Sequence, residues 1–140
     1  MNSKKGLIAF FCIVSIRSWS ANYSVNIEVS GYNALKGNIV IALLDTKESY
    51  LSSKSDPFKY IYLPVTEKKV ICSFHDISEG EYTIKLYHDE NNNNKLDTYF
   101  GIPTEKYGFS NNARGKFGIP SYGKAMFSVS DDVTQKIVIK

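Results

Sequence analysis

The sequence predicts an all-β protein, an antiparallel β-sandwich of about seven short strands with one long loop, and three observations carry that expectation. Beyond residue 20, apolar residues alternate with period two and lack the three-to-four spacing of a helix. Clusters of glycine, asparagine, proline and serine break the chain at short intervals, as turns between strands do. No stretch shows a convincing amphipathic helix, and many short strands without helices favour a sandwich over a barrel.

The elements follow in chain order. Residues 1–20 read as a secretory signal: Lys4 and Lys5 give a positive start, 6–16 form an apolar-to-small stretch of 11 residues, and Ser18 and Ser20 are small residues before a cleavage point at Ala21. That stretch falls short of the ~20 apolar residues a spanning helix needs, and no later segment approaches that length, so no membrane span is expected. Retention of 1–20 as an anchor is the alternative, kept open by Arg17 in the cleavage region. Residues 21–140 are expected to form a single β-sandwich domain, a size that one core serves.

In 23–29, Tyr23, Val25, Ile27 and Val29 alternate with Ser24, Asn26 and Glu28, the pattern of a half-buried strand. Residues 39–44 are continuously apolar, which suits a more central strand. The serine-rich 47–56 reads as a surface loop with room for a helical turn. Phe58, Tyr60 and Tyr62 alternate again, and Pro64 closes that strand or marks it as an edge. Residues 69–74 form the next strand. Residues 80–88 form the clearest one, with Tyr82, Ile84, Leu86 and His88 on one face and Thr83, Lys85 and Tyr87 on the other. Residues 125–129 and 136–140 complete the set. Tyr82, just after the turn at 76–80, is either a corner residue pinned to nearby backbone through its hydroxyl or an ordinary strand aromatic. Between 88 and 123 no period is visible. That segment carries Tyr99, Phe100, Tyr107, Phe109, Phe117 and Tyr122, too aromatic for a disordered linker, so something must organise it.

Charge and cysteine content narrow the partners. The chain has 17 basic and 14 acidic residues; three of the basic ones, Lys4, Lys5 and Arg17, lie in 1–20 with no acid, which leaves 14 of each sign. A neutral domain without a lysine or arginine cluster lacks the electrostatic footprint of a nucleic-acid or anionic-membrane binder. Cys12 falls in the signal, so Cys72 stands alone in an apolar run, where it reads as a small buried hydrophobe or, in an oxidising compartment, as one half of an intermolecular disulfide.

The candidate organiser of the long loop is 89–97. Oxygen-bearing side chains fall at Asp89, Asn91, Asn93 and Asp97, and the backbone carbonyl of Lys95 completes the alternate positions from which a tight loop delivers oxygens to calcium. Asn94 stands where such loops want a left-handed glycine, and asparagine is the next most tolerant residue there. Leu96 would turn back towards the core. Phe100 replaces the bidentate glutamate of an EF-hand and no helix follows, so the site is of another kind, with Glu90 or Glu105 as a further ligand. Two certain carboxylates, Asp89 and Asp97, imply weak calcium binding, on the order of 10⁻⁴ to 10⁻³ M. The competing reading is that aspartate and asparagine satisfy backbone groups through Asx-turns without any metal.

The same residues carry a family resemblance. The run Gly80-Glu81-Tyr82-Thr83-Ile84-Lys85-Leu86-Tyr87-His88-Asp89-Glu90-Asn91-Asn92-Asn93-Asn94-Lys95-Leu96-Asp97, then Phe100-Gly101-Ile102-Pro103-Thr104-Glu105 and Tyr107-Gly108-Phe109-Ser110-Asn111-Asn112, resembles the DUF2141 family of exported bacterial proteins. Pro120-Ser121 and Ala125-Met126-Phe127 extend the likeness. The resemblance implies export and an immunoglobulin-like or transthyretin-like sandwich, and it implies no reaction. Where the family usually reads Asn-Gly-Asn-Gly-Lys, this chain has Asn92 and Asn94, which leaves the turn less free.

Two function classes compete. The first is a non-enzymatic binding or structural module, periplasmic or secreted, in which the ordered loop presents its aromatics to a protein, a glycan or another envelope component. The second is a hydrolytic enzyme with His88, Asp89 and Glu105 as acid–base groups, and His75 with Asp76 as a further pair. No nucleophile elbow, phosphate loop or paired-carboxylate signature accompanies them, so no enzyme is expected.

Overall fold

Alternation in the sequence becomes strands at the expected places in the computed structural model, which describes residues 21–54 and 56–140. The signal assigned to 1–20, with Cys12, lies outside the described residues. Among the described residues ten strands follow one another: β1 (Asn22–Ser30), β2 (Asn38–Leu44), β3 (Lys59–Pro64), β4 (Lys69–Ser78), β5 (Gly80–Asp89), β6 (Thr98–Tyr99), β7 (Ile102–Pro103), β8 (Tyr107–Phe109), β9 (Phe127–Val129) and β10 (Val133–Val138). Two short α-helices among the described residues, α1 (Lys47–Leu51) and α2 (Tyr122–Ala125), and a 3-10 turn at Ser110–Asn112 interrupt them. Thr46 caps α1 by accepting the Ser49 N–H on its hydroxyl at 3.0 Å. Among the described residues no helix is long and apolar enough to cross a membrane.

The molecule is mostly β, in several sheets. One sheet has the order β10-β1-β4; the other has β3-β2-β5-β8, with β9 paired to the start of β5, and β6 and β7 form a small ribbon. Pro64 ends β3, which is an edge strand, so its missing N–H disturbs no inner ladder. The inner faces of both sheets share one core: Val25, Ile27 and Val29 of β1 and Ile39, Ile41 and Leu43 of β2 are fully buried in it, with Ile84 and Ile137. Each such side chain stabilises the fold by roughly 1.5–3 kcal/mol. Cys72 packs against this core, and burial pushes its thiol up to about 11, which suits the hydrophobe reading.

Tyr82 is a corner residue. Its hydroxyl donates to the Ser78 carbonyl at 3.0 Å across the turn where the chain leaves β4 in one sheet for β5 in the other.

Four expectations need correction. β1 and β10 run parallel, because strands from opposite ends of the chain are not bound by a hairpin to be antiparallel. Ala125 belongs to α2 and the ninth strand starts only at Phe127. The last strand begins at Val133, three residues before the expected start. The long loop also contributes β8, too short for alternation to reveal, which pairs through Lys85 to Tyr87 with β5.

The outer face of β2, β5 and β8 is apolar as well, and a second cluster covers part of it. Leu44, Tyr50, Phe109, Ala113 and Ala125 are buried there, and the Tyr50 hydroxyl donates to the Pro120 carbonyl at 2.8 Å.

Candidate functional site

The 89–97 loop leaves the end of β5 and is built on the turn that leads into β2. Gly37 makes this approach feasible: a Cβ added to it would lie 2.1 Å from the Asp89 carbonyl oxygen and 2.7 Å from the Glu90 Cα, and its φ is +68°. Its neighbours grip the same stretch. The Lys36 carbonyl accepts from His88 Nε2 at 2.7 Å, the Lys36 ammonium lies 3.1 Å from Glu90, and Asn38 Nδ2 donates to Asn92 Oδ1 at 2.5 Å.

Asp89 is fully buried, and both of its carboxylate oxygens are occupied by backbone. Oδ1 accepts the Asn93 N–H at 3.0 Å and Oδ2 the Asn94 N–H at 2.8 Å, which closes the loop on its own first residue. Asn91 and Asn93 both reach Asp97: Asn91 Nδ2 donates to Oδ2 at 2.6 Å and Asn93 Nδ2 to Oδ1 at 2.8 Å. Their own oxygens form Asx-turns, Asn91 Oδ1 accepting the Asn93 N–H at 3.2 Å and Asn93 Oδ1 the Lys95 N–H at 2.9 Å. Asn92 and Asn94 take φ of 58° and 60°, the left-handed turn that asparagine tolerates best after glycine.

Asp89, Asn91, Asn93 and Asp97 are thus brought together in one hydrogen-bonded knot. Lys95 enters it through its N–H, with the side chain exposed. Leu96 is half-buried and lines the outer face of the large sheet, outside both core clusters.

Glu105 folds back as expected, but onto backbone: Oε1 accepts the Glu90 N–H at 2.9 Å and Oε2 the Asp97 N–H at 3.0 Å. It ties the beginning of the loop to its end, and the Thr104 N–H donates to the Asp97 carbonyl at 2.8 Å beside it. His88 is fully buried; its Nε2 holds the Lys36 carbonyl, and its Nδ1 lies 3.7 Å from Glu90 Oε1. His75 is exposed on β4, with Nδ1 3.2 Å from the Ser24 hydroxyl.

The donor set suits a hard cation weakly. Two carboxylates stand in the knot, but Asn91 and Asn93 turn Nδ2 towards Asp97 and their oxygens towards backbone N–H groups, and among the described residues no three histidine, cysteine, aspartate or glutamate groups gather.

The left-handed φ at Asn94 sets an expected result. Asn94→Gly stabilises the protein by a few tenths to about 1 kcal/mol, whereas Asn94→Ala destabilises it by roughly 1 kcal/mol. Thermal melts of the two variants in parallel check both signs.

Sequence reasoning did not find the platform of Lys36, Gly37 and Asn38, nor a cavity of about 620 Å³ over the outer face of β2, β5 and β8 that the clamped segment walls on one side. A glycine before a polar strand start was the only available signal for the first, and none existed for the second.

The chain belongs to the family described as an uncharacterized protein conserved in bacteria (DUF2141), whose model matches residues 27–137. No curated protein and no solved structure matches it.

Proposed function

We propose that this family member is an exported, non-enzymatic binding or structural module of the cell envelope, periplasmic or secreted, built as an immunoglobulin-like or transthyretin-like β-sandwich. One observation carries this: the knot of Asp89 to Asp97, with Glu105, holds by hydrogen bonds a segment whose next apolar side chains stay at the surface. Phe100 is 88% exposed, and Tyr99 and Ile102, each 69% exposed, stand beside it. Side chains of this kind, held on an ordered backbone, suit contact with a protein, a glycan or another envelope component. Export follows from the composition of 1–20. Three of the groups an acid–base mechanism would use, Asp89, Glu105 and His88, are engaged elsewhere. Asp89 and Glu105 hold backbone N–H groups on all four oxygens, and His88 is buried against Lys36, which supports a positioning role for each.

Calcium belongs to the same proposal. Asp89 and Asp97 supply the charge, Asn91 and Asn93 the amide oxygens and Lys95 a backbone carbonyl, since a carboxamide offers oxygen as readily as N–H. The cation would stiffen a loop already closed by hydrogen bonds. Millimolar calcium is expected to stabilise the protein by about 1 kcal/mol at several times Kd, a rise of roughly 3 °C in Tm that chelator reverses and Asp89→Ala abolishes. A melting curve indifferent to calcium and chelator would contradict the metal and leave the hydrogen-bonded clamp as the whole of the loop's role.

A further inference from the structure

The cavity over the outer face of the large sheet serves neither the main core nor the knot. Its volume, about 620 Å³, falls within the roughly 300–1,000 Å³ of small-molecule sites. Strand alternation makes its floor: Val40, Ala42 and Leu44 point outward from β2, opposite the core-facing Ile39, Ile41 and Leu43. Register makes its room, because Ala42 is paired with Lys85 and Lys85 with Phe109, so the smallest floor residue lies beside the longest. Leu96, Ile102 and Pro103 of the clamped segment form one wall, and Ile119 stands among the lining residues from the stretch before α2.

Lys85 is the charged side chain in this lining. Its ammonium lies 4.9 Å from the centroid of the Tyr50 ring, a cation–π contact. Among the described residues no carboxylate pairs with it. Burial lowers its pKa below the ordinary lysine value, and no acid offsets that shift. A half-buried cation among apolar walls is stabilised by an anion that brings its own apolar body.

We infer that the cavity binds a small amphiphilic carboxylate, its head paired with Lys85 Nζ and its hydrocarbon tail lying between the sheet and the wall of Leu96, Ile102 and Pro103. The assignment rests on the ordered loop proposed above, because that loop carries the wall. One lysine matches one carboxylate; a phosphate would bring more charge than this lining answers. Ile102 and Ile119, exposed by 69% and 45% without ligand, would be covered by the tail.

Isothermal titration with decanoate, octanoate and decan-1-ol tests it. Decanoate is expected to bind one to one, and octanoate, two methylenes shorter, to bind roughly tenfold more weakly. Lys85→Met is expected to keep the melting temperature and the affinity for decan-1-ol while weakening decanoate about tenfold or more. Ala42→Phe, which fills the floor, is expected to abolish binding of both. Equal affinity of wild type and Lys85→Met for decanoate overturns the inference, and so does absence of decanoate binding by the wild type. If decanoate fails to bind while Asp89→Ala still lowers Tm, the cavity assignment falls and the loop proposal stands. If decanoate binds and Asp89→Ala melts like wild type, the loop proposal falls alone.

Discussion

Asp89→Ala is expected to lower stability by about 3 kcal/mol, a fall of roughly 10 °C in Tm, because it strips acceptors from two N–H groups at a buried position. The Asn94 N–H loses its carboxylate acceptor, the Asn93 N–H keeps only the longer bond to Asn91 Oδ1 at 3.2 Å, and the alanine methyl leaves space where Asp89 was fully enclosed. The loss also spreads along the chain. Once Asn93 and Asn94 are released, the left-handed turn at Asn94 has less to hold it, and Asp97 loses the fixed partners that its carboxylate accepts from. Asp97→Ala makes the contrast: its side-chain bonds come from the exposed amides of Asn91 and Asn93, which water can satisfy, so its cost is expected to stay near 1 kcal/mol. Thermal melts of both variants measure the difference.

Gly37→Ala is expected to be at least as damaging, by more than about 3 kcal/mol. Two separate effects act at this position. The φ of +68° lies in the left-handed region, which costs an alanine about 1 kcal/mol or more. The added methyl would also sit 2.1 Å from the Asp89 carbonyl oxygen and 3.0 Å from its carbon, and these are backbone atoms with no rotamer to yield. Relief therefore requires the β1–β2 turn to separate from the start of the loop, breaking the Lys36 and Asn38 contacts as it goes. A second signature separates this from simple loss of stability. The chain beyond His88 should become protease-sensitive at temperatures well below Tm, which limited proteolysis of the variant would detect. A variant that melts and resists protease like wild type would show that the two backbones do not bear on each other.

Much of this was legible in the residues themselves. Period-two alternation located β1 and β5, because one face of each lies against the shared core, and a continuous apolar run located β2. The position of Tyr82 after a turn and at the opening of a strand left a corner residue and an ordinary strand aromatic both open, and its bond to the Ser78 carbonyl decides for the corner. The oxygen spacing of Asp89, Asn91, Asn93 and Asp97 located the knot, and the left-handed preference of asparagine located the turn at Asn94. The remainder depends on contacts that write nothing into local sequence. Glu105 acts on backbone N–H groups, and any residue supplies those, so its partners Glu90 and Asp97 could not be singled out. The parallel pairing of β1 with β10 joins the two ends of the chain, where no connection length constrains direction. Lys85 was readable as an outward residue of β5, yet the cavity around it exists only because 96–103 returns over the sheet.

Amide hydrogen exchange along 97–109, compared between wild type and Asp89→Ala, tests most directly whether the knot orders the segment that follows it. The expected result is strong loss of protection at Asp97 and Thr104 and through β6 and β7 in the variant, with the amides of β1 and β4 unchanged. Equal protection of 97–109 in the two proteins would contradict it, since the segment would then be held by something other than the buried carboxylate of Asp89.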